Sequence, residues 1–307
     1  MRTAFISHPD TLLHVMDGSH PESPARITAI RNELDAQGIT PKLLTHEAPP
    51  ATDAQLSRVH TPEYVNHIRR IAPKAGIVRL DPDTAMGPMT LSAVLHAAGA
   101  VVLATDLVLT GKVDNAFCCV RPPGHHAGRQ NAAGFCIFNS VAVGAAHAMQ
   151  QYGLERIAII DFDVHHGDGT EDIFANDPRV MLCSTFQHPF YPGRGADTRS
   201  DRMINVPLPA NTSGSSYRKT VEAEFRPALE RFKPQMLFVS AGFDAHADDP
   251  LAQLGLIEDD YIWMTNFIKE IAGAFGNGRI VSALEGGYRL DALAKSAAAH
   301  IRTLAGI

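Results

Sequence analysis

The stretch RIAIIDFDVHHGDGT, residues 156–170, decides how the chain is read. A short, wholly apolar run is followed at once by three aspartates and two histidines. A run of that kind bounded by polar residues fits a strand covered on both faces. Charges carried to the end of such a strand are costly unless they are paired or bound to a metal. Read as a continuing strand, 161–166 places Asp161, Asp163 and His165 on one face, because successive side chains alternate.

The same arrangement recurs along the chain. NAFCCV runs into RPPGHHAG, MLFVS into AGFDAHADD, and RIVSAL into EGGYRL. TAFIS, PKLLT and VMLCSTF supply further β-rich segments. Between them lie helical patterns over 23–38, 90–110, 139–153, 217–232 and 259–275, and a last one closes the chain. In the first of these, Ser23 is the expected N-cap, Pro24 the first helical residue and Gly38 the stop. Apolar strands alternating with helices imply an α/β fold, an open and mostly parallel sheet with helices on both faces. HPFYPGRG and LPANTSGSS read as surface loops and there is no internal repeat, so residues 1–307 are expected to form one domain. Such sheets bind ligands beyond the carboxyl ends of their strands, where all four polar clusters fall.

The chain has 307 residues, 45% apolar and 20% charged, with a formal net charge of −6. That charge provides no basic footprint for nucleic acid. It suits solubility and leaves room for a cationic substrate. MRTAFISHPD lacks the pattern of a signal peptide. AVLHAAGAVVLATDLVLTG, the longest apolar stretch, contains His96 and Asp106 and is expected to be a core helix rather than a membrane span. Cys118, Cys119, Cys136 and Cys183 show no CxxC spacing and fit reduced, buried thiols in a cytoplasmic protein.

For the metal, one strand end rarely closes a coordination sphere, and Asp244 in AGFDAH supplies a second acid. One imidazole and two carboxylates, with a position open for water, describe a catalytic zinc site. The competing reading, acids capping a helix near GTEDIF, uses one acid and leaves the others unexplained. His125 and His126 follow a strand in a Pro-Pro-Gly turn, where adjacent side chains can converge. A histidine pair with carboxylates behind it, here Asp161 and Asp168, suits general acid–base work. Two glycines before Tyr288 let the chain turn so that its phenol can face a pocket and donate to an oxyanion.

HPESPAR, VHTPEYV, RPPGHHA, GFCIFN, DFDVHHGDGTEDIF, AGFDAHADDPL and EGGY occur in the order found in the histone deacetylase superfamily, which the chain resembles from about residue 20 to 290. The PPGHH and GFDAHADDPL forms are similar to class II enzymes, bacterial deacetylase-like amidohydrolases and acetylpolyamine amidohydrolases. The resemblance implies an arginase-like fold and zinc-dependent hydrolysis of an acetyl amide. It matches Asp163, His165 and Asp244 to zinc ligands, with Fe²⁺ tolerated by the same set. It matches His126 to the general base and acid, His125 to its electrostatic partner, Asp161 and Asp168 to their orienting carboxylates, and Tyr288 to the oxyanion donor. Phe135 and Tyr191 correspond to tunnel walls, Gly134 to its backbone lining and Arg26 to an internal pocket below. The resemblance also implies structural K⁺ or Na⁺. An inner site would comprise Asp161, Asp163, His165, Ser184 and Thr185, and an outer one Phe174, Asp177, Val180 and Tyr217.

The implied substrate is an acetylated lysine in a peptide or protein, or else an acetylated polyamine. Leu251 stands where polyamine-specialised relatives can carry a glutamate, which favours acyl-lysine. A two-manganese ureohydrolase would need an acid where His246 stands. A non-catalytic acetyl-lysine binder would be expected to have lost a ligand, the base or the tyrosine, and none is lost. Homo-oligomerisation and the acyl length accepted are left open.

Overall fold

The computed structural model describes residues 1–16 and 18–307. In chain order the elements are β1 (Thr3–Ser7), α1 (Ala25–Ala36), β2 (Leu44–Glu47), α2 (Asp53–Leu56), α3 (Pro62–Ile71), β3 (Val78–Arg79), β4 (Ala85–Met86), α4 (Thr90–Leu109) and β5 (Asn115–Cys118). There follow α5 (Ser140–Tyr152), β6 (Ile157–Asp161), α6 (Asp168–Phe174), β7 (Val180–Gln187), β8 (Met203–Leu208), α7 (Gly214–Phe232), β9 (Met236–Ala241), α8 (Glu258–Phe275), β10 (Ile280–Leu284) and α9 (Leu290–Ala305). Eight strands form one sheet in the order β2-β1-β5-β10-β9-β6-β7-β8, and every pairing in it is parallel. β3 and β4 make a separate antiparallel pair.

Strand alternation divides the apolar residues between two layers. Ile157, Ile159, Leu182, Phe238 and Val281 face α4 and α5, whereas Ala158, Ile160, Met181, Val239 and Leu284 face α1, α7, α8 and α9. Each fully buried aliphatic or aromatic side chain contributes about 1.5–3 kcal/mol, so the central strands must be apolar on both sides. α4 is long and apolar enough to cross a membrane by length and composition. Its residues from Ala97 to Val102 are buried in the core of this fold.

Local details differ from the sequence reading. Pro24, not Ser23, occupies the N-cap position of α1, and no side chain caps that end; Ser23 accepts from Arg26 N–H through its carbonyl. Gly38 does follow the helix with φ +64. β8, a strand the sequence did not reveal, contains Pro207 and lies at the sheet edge, where a missing N–H is tolerated.

The stretch 161–166 is not a continuing strand. β6 ends at Asp161, where Asp163 N–H donates to Asp161 Oδ1 at 3.2 Å and His165 N–H donates to Asp163 Oδ1 at 2.9 Å. Successive aspartates thus fold the chain back through their own side chains, a local competitor to ladder hydrogen bonds. The result gathers the polar residues at the strand end by a tighter route than alternation.

Candidate metal centre and active-site cavity

β6 and β9 are neighbours, and the loops leaving them carry the candidate ligands. His165 Nδ1 lies 3.0 Å from Asp163 Oδ1 and 3.3 Å from Asp244 Oδ2. Both aspartates are fully or almost fully buried. Asp163 Oδ2 accepts from Gly286 N–H at 2.8 Å, and Asp244 Oδ1 from Val164 N–H at 2.9 Å. Asp244 Oδ2 is buried with no hydrogen-bond partner. Burial and the neighbouring Asp163 charge push Asp244 up to about 7, and despite burial the two carboxylates raise His165 to about 10. Two buried carboxylates, one imidazole and one orphaned oxygen make a site short of positive charge. A divalent cation fits that donor set.

The Pro-Pro-Gly turn does make the two histidines converge, with ring centroids 4.1 Å apart. Each has its own carboxylate. His125 Nδ1 is 2.9 Å from Asp161 Oδ2, and His126 Nδ1 is 2.8 Å from Asp168 Oδ1. Their environments then separate them. Burial alone would lower His125, yet the Asp161 and Asp163 charges hold it well above the usual imidazole range. Burial and the His125 charge push His126 down to about 4. One ring is therefore held as a cation and the other as a neutral base, an arrangement suited to proton transfer.

A cavity of about 250 Å³ opens above these groups. Phe135, Tyr191, Gly134, Leu251 and Tyr288 all line it, together with His126 and His165. Phe135 meets Tyr288 edge to face at 5.9 Å, and Tyr191 meets His126 likewise at 5.0 Å. Phe135 itself has φ 69, a left-handed backbone that turns its ring into the cavity. Gly134 is required beside it: a Cβ there would stand 2.4 Å from His126 Cδ2.

Below the cavity, Arg26 is wholly buried and lies 5.0 Å from the Tyr288 ring centroid. Its guanidinium donates to the carbonyls of Gly287 and Glu285 at 2.6 and 2.5 Å. Glu22 lies between Arg26 and Arg121, both wholly buried, and is bonded to each. Their two charges make the burial of that carboxylate tolerable.

The cation residues expected from the sequence divide. Asp161 and Ser184 are partners across β6 and β7, with Thr185 next along, so the inner group is brought together around the strand end that carries Asp163 and His165. The outer group is not. Phe174 ends α6, and Asp177 and Val180 lead into β7 at its start, whereas the Tyr217 hydroxyl is 3.3 Å from Thr185 Oγ1. Five residues of strand, about 16 Å, separate Val180 from Thr185. Arg202 instead donates to the carbonyls of Asp177 at 2.7 Å and Ala175 at 3.3 Å.

Several site residues were missed. Glu285 Oε2 accepts from the backbone N–H groups of Gly124 and His125 at 2.6 and 3.1 Å, and so anchors the histidine turn. Asp249 accepts from Tyr288 N–H at 2.7 Å. Phe190 stacks on His165 at 5.6 Å. An acid ending the apolar run RIVSALE was the available signal for Glu285; nothing local distinguishes Asp249 among the acids around it.

The histone deacetylase domain profile matches residues 20–304. The chain is 37% identical to the histone deacetylase-like amidohydrolase of Pseudomonas aeruginosa, over 94% of this chain and 77% of that one. It is 36% identical to the polyamine deacetylase HDAC10 of Homo sapiens, over all of this chain and 48% of that one. The solved structure of the HDA15 HD domain is similar with a TM-score of 0.90 and 32% identity, covering 99% of this chain and 88% of that one. The arginase-like sheet, the paired histidines and the buried ligand cluster thus have one common explanation: this chain belongs to the histone deacetylase family.

Proposed function

We propose that the protein is a zinc-dependent deacetylase that removes acetyl groups from the ε-amine of lysine in peptides or proteins. The observation that carries this reading is the buried Asp163–His165–Asp244 cluster at the floor of a cavity that also presents His126 and Tyr288. Zinc held there would polarise an acetyl carbonyl and acidify a water. Ferrous iron suits the same ligands.

The remaining chemistry belongs to the chain's own groups. Phe135 and Tyr191 hold an aliphatic stem and keep bulk water from it. His126 Nδ1 is engaged by Asp168, which leaves Nε2 to take a proton from the attacking water and return it to the departing amine. His125, kept cationic beside Asp161, stabilises negative charge nearby without giving up its proton. The Tyr288 hydroxyl, whose burial holds it well above the usual phenol range, stays protonated and donates to the oxyanion. The inner strand-end group would hold a structural K⁺ or Na⁺.

A second reading, hydrolysis of acetylated polyamines, is favoured by the carboxylate of Asp83 on the cavity lining and by the similarity to HDAC10. Leu251 on the same lining favours acyl-lysine, since a leucine offers a distal ammonium no charge partner. Comparing kcat/KM for an acetyl-lysine peptide with that for acetylputrescine tests this. A preference for the peptide supports the first reading, and a preference for the diamine replaces it with the second.

A further inference from the structure

Far from the catalytic cluster in sequence, a second set of metal-binding side chains converges. His8 follows β1, Asp10 lies in the short 3₁₀ turn Pro9–Leu12, and His96 stands on α4. One donor atom from each lies within 4.8 Å of the others. The imidazoles of His8 and His96 stack at 3.5 Å with a 5° interplanar angle. Asp10 lies beside both rings, with Oδ1 3.8 Å from His8 Nδ1 and Oδ2 3.9 Å from His96 Nδ1. A second carboxylate is at hand, because Glu47 Oε1 at the end of β2 is 3.5 Å from His8 Nε2. None of the four lines the active-site cavity.

The hydrogen bonds leave one ring lone pair free, that of His96. His96 Nδ1 lies 2.9 Å from the Ser92 carbonyl, to which it can only donate, so Nε2 keeps its lone pair. Metal-binding histidines are commonly held in this way, by a carbonyl on the other ring nitrogen. His8 Nδ1 is unprotonated too, but its lone pair accepts from Asp10 N–H at 3.1 Å, a bond that an ion would have to replace. Ser92 Oγ donates to Asp10 Oδ2 at 2.5 Å, orienting that carboxylate as an outer partner does. Both imidazoles have only 13% of their side chains exposed, whereas Glu47 is open to solvent at 74%, so the group has a sheltered floor and an accessible side.

We infer that His8, Asp10 and His96, with Glu47 closing the open side, form a second divalent transition-metal site of the zinc class. Two imidazoles with carboxylate suit Zn²⁺, Ni²⁺ or Cu²⁺, whereas Mg²⁺ and Ca²⁺ favour all-oxygen sets. Ligand bonds of about 2.0–2.2 Å require the donors to draw together. Two lone pairs can meet one ion only if the rings open from their parallel stack. Binding would therefore turn His8 away from Asp10 N–H and out of the stack, while the Ser92 carbonyl keeps its hold on His96. The ion would tie β1 and the Pro9–Leu12 turn to α4. The same segment later carries His20, which packs edge to face on Phe135 at 4.5 Å, so the clip is placed on the segment that buttresses the cavity wall.

The test is the zinc stoichiometry of the full chain, stripped of metal and titrated with Zn²⁺ against a competing chelator. The wild type is expected to take up about two equivalents. His8→Ala/His96→Ala should take up about one, and Asp163→Asn/Asp244→Asn should keep the other. In the wild type the imidazole resonances of His8 and His96 should shift as that additional equivalent binds. His96→Gln, which keeps volume and polarity at the position, replaces the alanine variant if that one does not fold. A wild type saturating at a single equivalent, or a His8/His96 variant that still binds two, overturns the proposal. The Asp163/Asp244 variant separates failure of this site from failure of the catalytic one.

Discussion

His126 Nδ1 sits 2.8 Å from Asp168 Oδ1, and this single contact determines which nitrogen the ring turns toward the cavity. With Nδ1–H engaged, Nε2 is the free base, and burial beside cationic His125 keeps it deprotonated. His126→Ala should therefore lower kcat by roughly 10²- to 10⁴-fold, the range for loss of a positioned acid–base group. Bound metal, measured by atomic absorption, should be unchanged. Loss of the metal from that variant would make His126 a ligand instead.

In the proposed mechanism Tyr288 contributes a donor that matters only once negative charge develops. Tyr288→Phe should reduce kcat by roughly 10²- to 10³-fold while KM changes little. Steady-state kinetics on an acetyl-lysine peptide separate the two parameters. Full turnover would remove the hydroxyl from the reaction.

Gly286 is required by the candidate ligands rather than by its backbone angle. A Cβ at this position would stand 2.0 Å from Asp244 Oδ2 and 2.6 Å from Asp163 Oδ2. Gly286→Ala should displace both carboxylates and weaken metal affinity by at least about 10-fold, the scale seen when the support of ligands is disturbed. Chelator competition measures that loss, and circular dichroism should show the fold retained.

How much of this was legible in the sequence depends on where the chemistry sits. Residues delivered by contiguous strand ends, such as Asp163, His165 and Asp244, were identifiable because apolar strand and polar cluster adjoin. Their face was misread because the side chains of Asp161 and Asp163 compete with the ladder and end the strand early. β8 was hidden by its edge position and Pro207. The resemblance grouped Tyr217 with Phe174, Asp177 and Val180, but its hydroxyl meets Thr185 five residues along β7 from Val180. Glu285 and the Glu22–Arg121 pair act across more than 90 residues of sequence, and their roles follow only from the packed structure.

His60 makes stability depend on pH. Its Nδ1–H donates to the Gly128 carbonyl at 2.8 Å, and its Nε2 accepts from Asn139 N–H at 3.0 Å, so the neutral ring joins the histidine loop to the start of α5. Burial pushes it down to about 4. Because the folded value lies below the unfolded one, the unfolded chain binds the extra proton first. The stabilisation is complete above about pH 6.5 and is lost as pH falls through about 4, on the order of 3 kcal/mol over that window. Urea midpoints at pH 7 and 4.5 should fall less in His60→Gln than in the wild type. Equal falls would exclude this residue as the cause.

The most direct test of the whole account is acetyl-lysine peptide hydrolysis by wild type and Asp163→Asn/Asp244→Asn, each stripped by chelator and then supplied with Zn²⁺. Stripping should abolish wild-type activity and Zn²⁺ should restore it, while the double variant stays inactive although folded. Undiminished hydrolysis by the stripped wild type, or restoration of the double variant by zinc, would contradict it.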